Sequence, residues 1–261
     1  MIPLSELFPP EDYRFHLSLR RGDLETFFAR SDDASRVLRE RQHWLQQEPK
    51  RYAAVQPEGE GLAVKWVERV RQWGVQGDTI VEIGGQLEPD FLLLARDGAG
   101  EFRLRAGALV FPTSWALEEK LGHTLDWIHD MVPGLNAALR APIRQFLHRL
   151  KPGGVPYLRS NWGLAATDAL NLHPSRPRPR LAADVSPDRV WLRVEHQILA
   201  AMGDTEGIVF GIRIALHPLN TLLADPSLRA GFHRALRTMP ADLAAYKGLA
   251  EARARLLELS A

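Results

Sequence analysis

The stretch DRVWLRVEHQILAAMGDTEGIVFGIRIALHPL, residues 188–219, decides the fold of this chain. Two runs rich in β-branched and aromatic residues flank a segment containing Gly and Asp, and this pattern predicts an antiparallel hairpin. Four β-rich runs precede it: TIVEIGG from residue 79, PDFLLLAR from 89, EFRLRAGALVFP from 101 and YLRSNWGL from 157. We therefore predict an α+β protein with a mainly antiparallel sheet.

Helical patterns flank these strands on both sides. Segments 22–47 and 61–74 carry apolar residues at helical spacing, and the residues after Asp225 are rich in Ala, Leu, Glu and Arg. Flanking helices and a helical C-terminus follow from this pattern. We predict one domain over residues 1–261, made of a helical N-terminal part (1–75), a sheet-containing core (76–220) and C-terminal helices (221–261).

Composition excludes several classes of function. The 33 basic and 32 acidic residues leave a net charge of +1, so no overall field favours nucleic acid or an anionic membrane. The chain has no cysteine, which excludes disulfides, thiolate-bound metals and cysteine nucleophiles. No signal peptide or membrane-spanning segment is recognisable, and we expect a cytoplasmic protein without nucleic-acid or membrane partners.

The hairpin carries a polar face. Strand alternation places Trp191, Arg193 and Glu195 on one side, and a turn centred near Gly203 brings Arg213 onto the same side. Glu195 and Arg213 are then predicted to contact each other across the ladder. Such a face is either solvent-exposed or part of a pocket in which arginines hold a carboxylate and Glu195 holds an amine, and Trp191 favours the pocket.

A second candidate region is FPTSWALEEKLGHTLDWIHDMVPGL, residues 111–135. In it His123, Asp126 and His129 lie three residues apart, so that on a continuous helix they occupy one sector that could face a metal ion. The spacing matches no established metal motif, and core or surface histidines remain the alternative. His173 opens the basic loop HPSRPRPR, which we interpret as extended and solvated.

In this order and spacing, the segments 111–135, YLRSNWGL, LRVEHQIL and VFGIRIALHPL resemble the family of the haem-dependent oxidative N-demethylase alpha subunit. The likeness extends from about Tyr13 over most of the chain. It implies a PAS-like haem-binding fold, haem b as cofactor, and oxidation of dimethylamine to methylamine and formaldehyde with O2. It also implies flavin or NADPH-dependent reductase subunits as partners.

The resemblance also suggests roles for individual residues. Without cysteine, the haem iron must be held by His, Tyr or Met, and the family-like surroundings of His129 favour it as the iron ligand or a pocket residue. Arg193 and Arg213 would pair with propionates or shape the substrate pocket, and Glu195 would hold the substrate ammonium. The full set of predicted site residues is Glu195 and Arg213 as catalytic, with His129, Arg193, Trp162 and His173 as cofactor-binding.

The chain departs from the family pattern at three places. His196 follows Glu195 where a basic residue is usual, Ala215 and Leu216 replace a Thr-Tyr pair, and the loop from His173 is unusually basic. The leading hypothesis is a haem-dependent, monooxygenase-type oxidation of a small amine. Two others stay open: a non-catalytic haem-binding sensor or electron-transfer module, and a non-haem metal enzyme using the histidines and Asp126 of segment 111–135.

Overall fold

The sheet forms the centre of the molecule. The structure, a computed structural model, describes residues 1–202 and 207–261. In these residues seven strands pair in the order β1-β5-β6-β7-β3-β4-β2, and every pair is antiparallel. Their bounds are β1 Arg20–Arg21, β2 Ala53–Val55, β3 Asp90–Arg96, β4 Phe102–Ala108, β5 Tyr157–Ala165, β6 Trp191–Met202 and β7 Gly207–Pro218.

Helices surround this sheet and confirm both the α+β class and the helical C-terminus. The helices before the central strands are α1 Leu24–Phe28, α2 Ala34–Gln47, α3 Pro49–Tyr52, α4 Glu60–Arg71 and α5 Ile80–Gly84. Between β4 and β5 lie α6 Leu117–Lys120, α7 Leu125–Asp130 and α8 Leu135–Arg149. The C-terminal helices are α9 Leu219–Ala224, α10 Pro226–Thr238, α11 Ala241–Tyr246 and α12 Arg253–Ser260.

Different groups of helices pack against the two faces of the sheet. Alternation along β3 directs Phe91 and Leu93 into the cluster formed with α1, α4 and α5, whereas Leu92 and Leu94 pack with α6 and α8. At the other end of the sheet, Leu192 and Val194 of β6 are covered by the C-terminal helices. A helical layer therefore lies on each face, and no described helix combines the length and hydrophobicity that crossing a lipid bilayer requires.

One predicted strand is a helix. Residues Ile80–Gly84 of TIVEIGG form α5, which Thr79 and Glu82 begin with a reciprocal capping box. The Thr79 side chain accepts from the backbone N–H of Glu82, and the Glu82 carboxylate accepts from the backbone N–H of Thr79. The capping motif outweighed the β-branched composition. The N-terminal part also contributes two short strands, β1 and β2, to the sheet.

The register of the central hairpin overturns the predicted contact between Glu195 and Arg213. Met202 pairs with Gly207, so that Glu195 lies opposite Ile214 and Arg213 lies opposite His196. Paired residues share a face, and therefore Glu195 and Arg213 point to opposite sides of the sheet. The expected turn centre at Gly203 lies outside the described residues. The observed register differs from the predicted one by an odd number of residues. Because the side-chain period of a strand is two, this difference moves Arg213 to the face opposite Glu195.

Candidate functional site

A cavity of about 380 Å³ lies between the sheet and α7, and we call it the first cavity. This volume is within the range of small-molecule and cofactor sites. Apolar side chains form part of its wall, and polar and charged side chains of both signs form the rest. The apolar set includes Ile128, Val132, Phe210 and Ile212, and the polar set includes Tyr13, His129, Arg159, Asn161, Glu195 and Lys247.

His129 faces the first cavity from α7. Thr124 caps this helix by accepting from the backbone N–H of Trp127, which fixes the short turn that carries His129. Burial, reinforced by the positive charge of Arg159, lowers the His129 pKa from 6.5 to about 4. Within the described residues its ring makes no hydrogen bond. His129 is therefore a neutral imidazole with a free lone pair at neutral pH.

The metal site predicted from His123, Asp126 and His129 is not assembled. The His123 ring stacks on Trp127, with ring centroids 3.6 Å apart. The Asp126 carboxylate instead forms ion pairs with two arginines of α8, at 3.2 Å from Arg140 and 2.8 Å from Arg144. No group of three potential metal-ligating side chains occurs in the described residues. The prediction assumed one continuous helix that would place the three side chains in one sector. Residues 121–124 precede α7 and are not helical, so His123 does not lie on that helix.

Glu195 projects from β6 into the same cavity. One carboxylate oxygen accepts a hydrogen bond from the Thr113 hydroxyl at 2.5 Å, and the other accepts from the side-chain amide of Gln197 at 3.0 Å. Both donors are neutral, so these contacts orient the carboxylate without cancelling its charge. Glu195 is thus an oriented carboxylate at the wall of a partly apolar cavity.

Arg193 holds the segment that carries Thr113. Its side chain is buried, and its Nε donates to the Thr113 hydroxyl at 3.0 Å. The remaining N–H groups donate to backbone carbonyls, including Phe111 at 2.9 Å and Leu170 at 2.7 Å. Burial lowers the Arg193 pKa to about 10, which still leaves it charged at neutral pH. In the structure Arg193 positions Thr113, and through it Glu195.

Arg213 lies on the opposite face from the first cavity. Its Nη1 pairs with the Glu88 carboxylate at 2.6 Å, and its Nη2 donates to the carbonyls of Phe27 and Ala29 at 2.8 and 2.6 Å. These partners join β7 to α1 and to the residues just before β3. The predicted pairing of Arg213 with Glu195 is wrong. Arg213 instead forms an ion pair with Glu88 that holds elements of the fold together.

Trp162 and His173 occupy different surroundings. Trp162 lines the first cavity, packs on Phe8 at 5.0 Å between ring centroids, and accepts a hydrogen bond at its carbonyl from Lys247 Nζ at 2.6 Å. His173 is buried away from the cavity wall, and its ring nitrogens contact Ser175 at 2.9 Å and Glu118 at 3.2 Å. The structure therefore brings Trp162, but not His173, to the site with His129 and Glu195.

Arg159 and Lys247 are among the charged residues of the cavity that the sequence analysis missed. Arg159 lies on β5, two residues from Asn161, which pairs with Glu195. This alternation was a usable signal, because it puts Arg159 on the face of Glu195. Lys247 follows α11, and burial lowers its pKa to about 8. Nothing local in the sequence marks Lys247, since only the packing of the C-terminal helices brings it there.

A second cavity, of about 510 Å³, adjoins the first. The two share Asn161, Glu195 and Lys247 in their walls. Arg178 and Arg180 of the basic loop line only the second cavity. Glu195 therefore stands where two cavities meet.

Comparison with known families identifies the family of this chain. The family described as haem-dependent oxidative N-demethylase, alpha subunit-like, matches residues 41–257. The chain belongs to this family. The match confirms the resemblance found in the sequence, and the family's description associates the chain with a haem-dependent oxidoreductase and with the alpha subunit of an assembly. His129, Arg159, Glu195 and Lys247 all lie within the matched range, whereas Tyr13 precedes it.

Proposed function

We propose that this protein binds haem b in the first cavity and uses O2 to oxidise a small amine. The observation that carries this proposal is the joint position of His129 and Glu195. A neutral imidazole without a protein partner and an oriented carboxylate line the same partly apolar cavity. The imidazole of His129 suits a metal centre, and the carboxylate of Glu195 suits an alkylammonium ion.

The residues around the first cavity fit a haem. His129 offers the uncharged nitrogen that iron ligation requires, and the absence of cysteine leaves no thiolate to compete for that role. The side chains of Ile128, Val132 and Phe210 provide apolar surface for a flat macrocycle. When bound, the haem would supply the iron at which O2 is activated.

Glu195 would orient the amine. A small alkylamine is a cation at neutral pH, and a carboxylate held by Thr113 and Gln197 retains lone pairs for an ammonium N–H. This contact would fix the nitrogen and present a methyl carbon to the reacting centre. Lys247 stands beside Glu195 with a pKa of about 8, so that its Nζ can accept or release a proton near neutral pH.

The proposed reaction consumes reducing equivalents. Oxidation of one N-methyl group by O2 yields formaldehyde, the shorter amine and water, and requires two electrons from a reductant. We propose that partner subunits carrying flavin and using NADPH deliver these electrons, which agrees with the alpha subunit in the family description.

Spectroscopy and product analysis test the proposal together. Protein expressed with a supply of haem is expected to show a Soret band that shifts on addition of dimethylamine. With O2 and a chemical reductant it should then release formaldehyde and methylamine in equal amounts. A protein without a Soret band after haem reconstitution would contradict the proposal. A Soret band without formaldehyde would leave a haem-binding sensor or electron-transfer module instead.

A further inference from the structure

Arg159 is a half-buried cation of the first cavity that the proposed reaction does not use. It lies opposite Gln197 on β6, and its neighbour on the same face, Asn161, lies opposite Glu195. Arg159 and Glu195 are therefore diagonal neighbours on one face of the sheet, a separation of roughly 7 to 8 Å between backbones. The two charges face one cavity from different points on its wall.

The guanidinium of Arg159 lacks the partners that other buried arginines have. Its Nε is buried without a hydrogen-bond partner, as are Arg41 Nη2 and Arg213 Nε, but within the described residues Arg159 also forms no ion pair and no other side-chain hydrogen bond. By contrast, Arg41 pairs with Asp90 at 2.7 Å and Arg213 pairs with Glu88 at 2.6 Å. Burying a charge without a partner is costly, so an unpaired buried guanidinium indicates a site completed by a ligand.

The neighbours of Arg159 do not complete its coordination. The Glu195 carboxylate is oriented by Thr113 and Gln197 and forms no ion pair with Arg159 within the described residues. Burial raises the Tyr13 pKa to about 12, so its hydroxyl remains neutral. Lys247 adds a further positive charge rather than a partner. Charged side chains of both signs line the wall, but within the described residues no carboxylate forms an ion pair with Arg159, and an anionic ligand group would take that place.

We propose that Arg159 binds a carboxylate group of the ligand held in the first cavity. A guanidinium is planar, stays charged, and donates two parallel hydrogen bonds to a carboxylate, which a lysine cannot reproduce. Two sources of this carboxylate exist: a propionate of the haem, or the carboxylate of an N-methyl amino acid whose ammonium lies on Glu195. The first source rests on the proposed function, and the second extends it by naming a substrate class.

The first arm of the test concerns the haem. Wild type and Arg159→Gln are titrated with haem b and with its dimethyl ester, in which both propionates are blocked, and binding is followed by the Soret band. If a propionate is the partner, wild type prefers haem b over the ester by roughly 10-fold or more, and Arg159→Gln loses that preference.

The second arm concerns the amine. N-methylglycine and dimethylamine are compared by the shift in melting temperature of the haem-free protein and by the Soret shift of the loaded protein. If a substrate carboxylate is the partner, N-methylglycine binds wild type roughly 10-fold or more tightly than dimethylamine, and only that advantage disappears in Arg159→Gln. Arg229→Gln, which changes an exposed arginine on α10, is the matched control.

A third variant separates a binding role from a structural one. Arg159→Met removes an unpaired buried charge, so the haem-free protein is expected to unfold at the same or a higher temperature than wild type. A lower unfolding temperature in Arg159→Met would assign Arg159 to the fold and overturn the proposal.

The proposal is equally overturned if both preferences are the same in Arg159→Gln and Arg229→Gln. Should wild type bind no haem at all, the proposed function fails, and the melting temperatures with the two amines alone decide the carboxylate site. Should Arg159→Gln not fold, Arg159→Lys takes its place and is expected to lose most of either preference, since it keeps the charge but not the bidentate geometry.

Discussion

Charged residues on the two faces of the β6–β7 hairpin differ in whether they have partners within the protein. On the face of Arg213, the Glu88 carboxylate accepts from the Ser31 hydroxyl at 2.7 Å and pairs with Arg213 at 2.6 Å. On the face of Glu195, neither Arg159 nor the ring of His129 has a hydrogen-bond partner within the described residues. The first face uses its charges to join elements of the fold, whereas the second leaves Arg159 and His129 available to a ligand.

This difference separates stability from function within one sheet. Paired buried charges are satisfied in the folded chain, so removing one partner destabilises the protein. Unpaired polar groups in a cavity cost stability in the free protein and regain it only when a ligand binds. Substitutions on the two faces should therefore affect different measurements, and the following predictions use that separation.

The largest expected effect is the loss of haem from His129→Ala. Removing the ligand nitrogen should weaken haem binding by at least roughly 100-fold, since even a residue that only orients a ligand contributes 10- to 100-fold. Haem titration followed at the Soret band measures this, and the haem-free variant should fold normally. His123→Ala is the matched control, because its ring stacks on Trp127 instead. An unchanged Soret band in His129→Ala would remove His129 as the ligand.

The next effect is expected on the paired face. Glu88→Gln leaves Arg213 as an uncompensated buried cation, so the free energy of unfolding should fall by about 3 to 5 kcal/mol. Urea denaturation measures it, and haem affinity should not change. Asp33→Asn breaks the exposed pair with Arg36 and should cost less than about 1 kcal/mol. Equal losses in the two variants would refute the distinction between a buried and an exposed pair.

A smaller effect is expected from Glu195→Gln, and only on ligand binding. The amide preserves the shape but removes the charge, so the amine-induced Soret shift should require roughly 10-fold more amine. Haem content and the free energy of unfolding should stay close to wild type. Glu119→Gln changes an exposed carboxylate at the wall of the same cavity and serves as control. Wild-type amine affinity in Glu195→Gln would show that this carboxylate is structural.

The last prediction is a pH dependence that both faces share. Burial lowers the pKa of His129 and of His196, on the face of Arg213, from 6.5 to about 4. Between these values the unfolded chain binds protons that the folded chain does not, so the haem-free protein should lose stability as the pH falls from 6.5 towards about 4.

Urea denaturation of the haem-free protein across this pH window measures the slope. His129→Gln and His196→Gln should each flatten it by up to one proton. If His129→Gln retains the wild-type slope, the His129 imidazole titrates normally and the argument for a neutral ligand nitrogen fails.

Local sequence signals predicted most elements of the fold but failed where two signals competed. The hairpin strands, β5 and the start of α10 at Asp225 and Pro226 agree with alternation and capping patterns in the sequence. TIVEIGG was misassigned because its β-branched residues were weighed above the Thr79 and Glu82 capping box. That signal was present, so this error was avoidable.

Some residues of the candidate site could be placed from the sequence, and others could not. Alternation along YLRSNWGL was sufficient to place Arg159 on the face of Asn161, although the sequence analysis did not use it. The separation of Glu195 from Arg213 depended on the register of the hairpin, in which Glu195 lies opposite Ile214 and Arg213 lies opposite His196. Lys247 reaches Glu195 only because the C-terminal helices pack over β5 and β6.

The sequence by itself determined the α+β class, the antiparallel hairpin, the helical ends and the family, because these depend on periodicity, capping and ordered motifs that local chemistry encodes. Tertiary structure alone decided which charges meet. Strand alternation determines which residues of one strand share a face. The pairing register between strands determines which residues of two different strands lie on the same side of the sheet. Arg213 therefore binds Glu88, and Arg159 and Glu195 face the cavity.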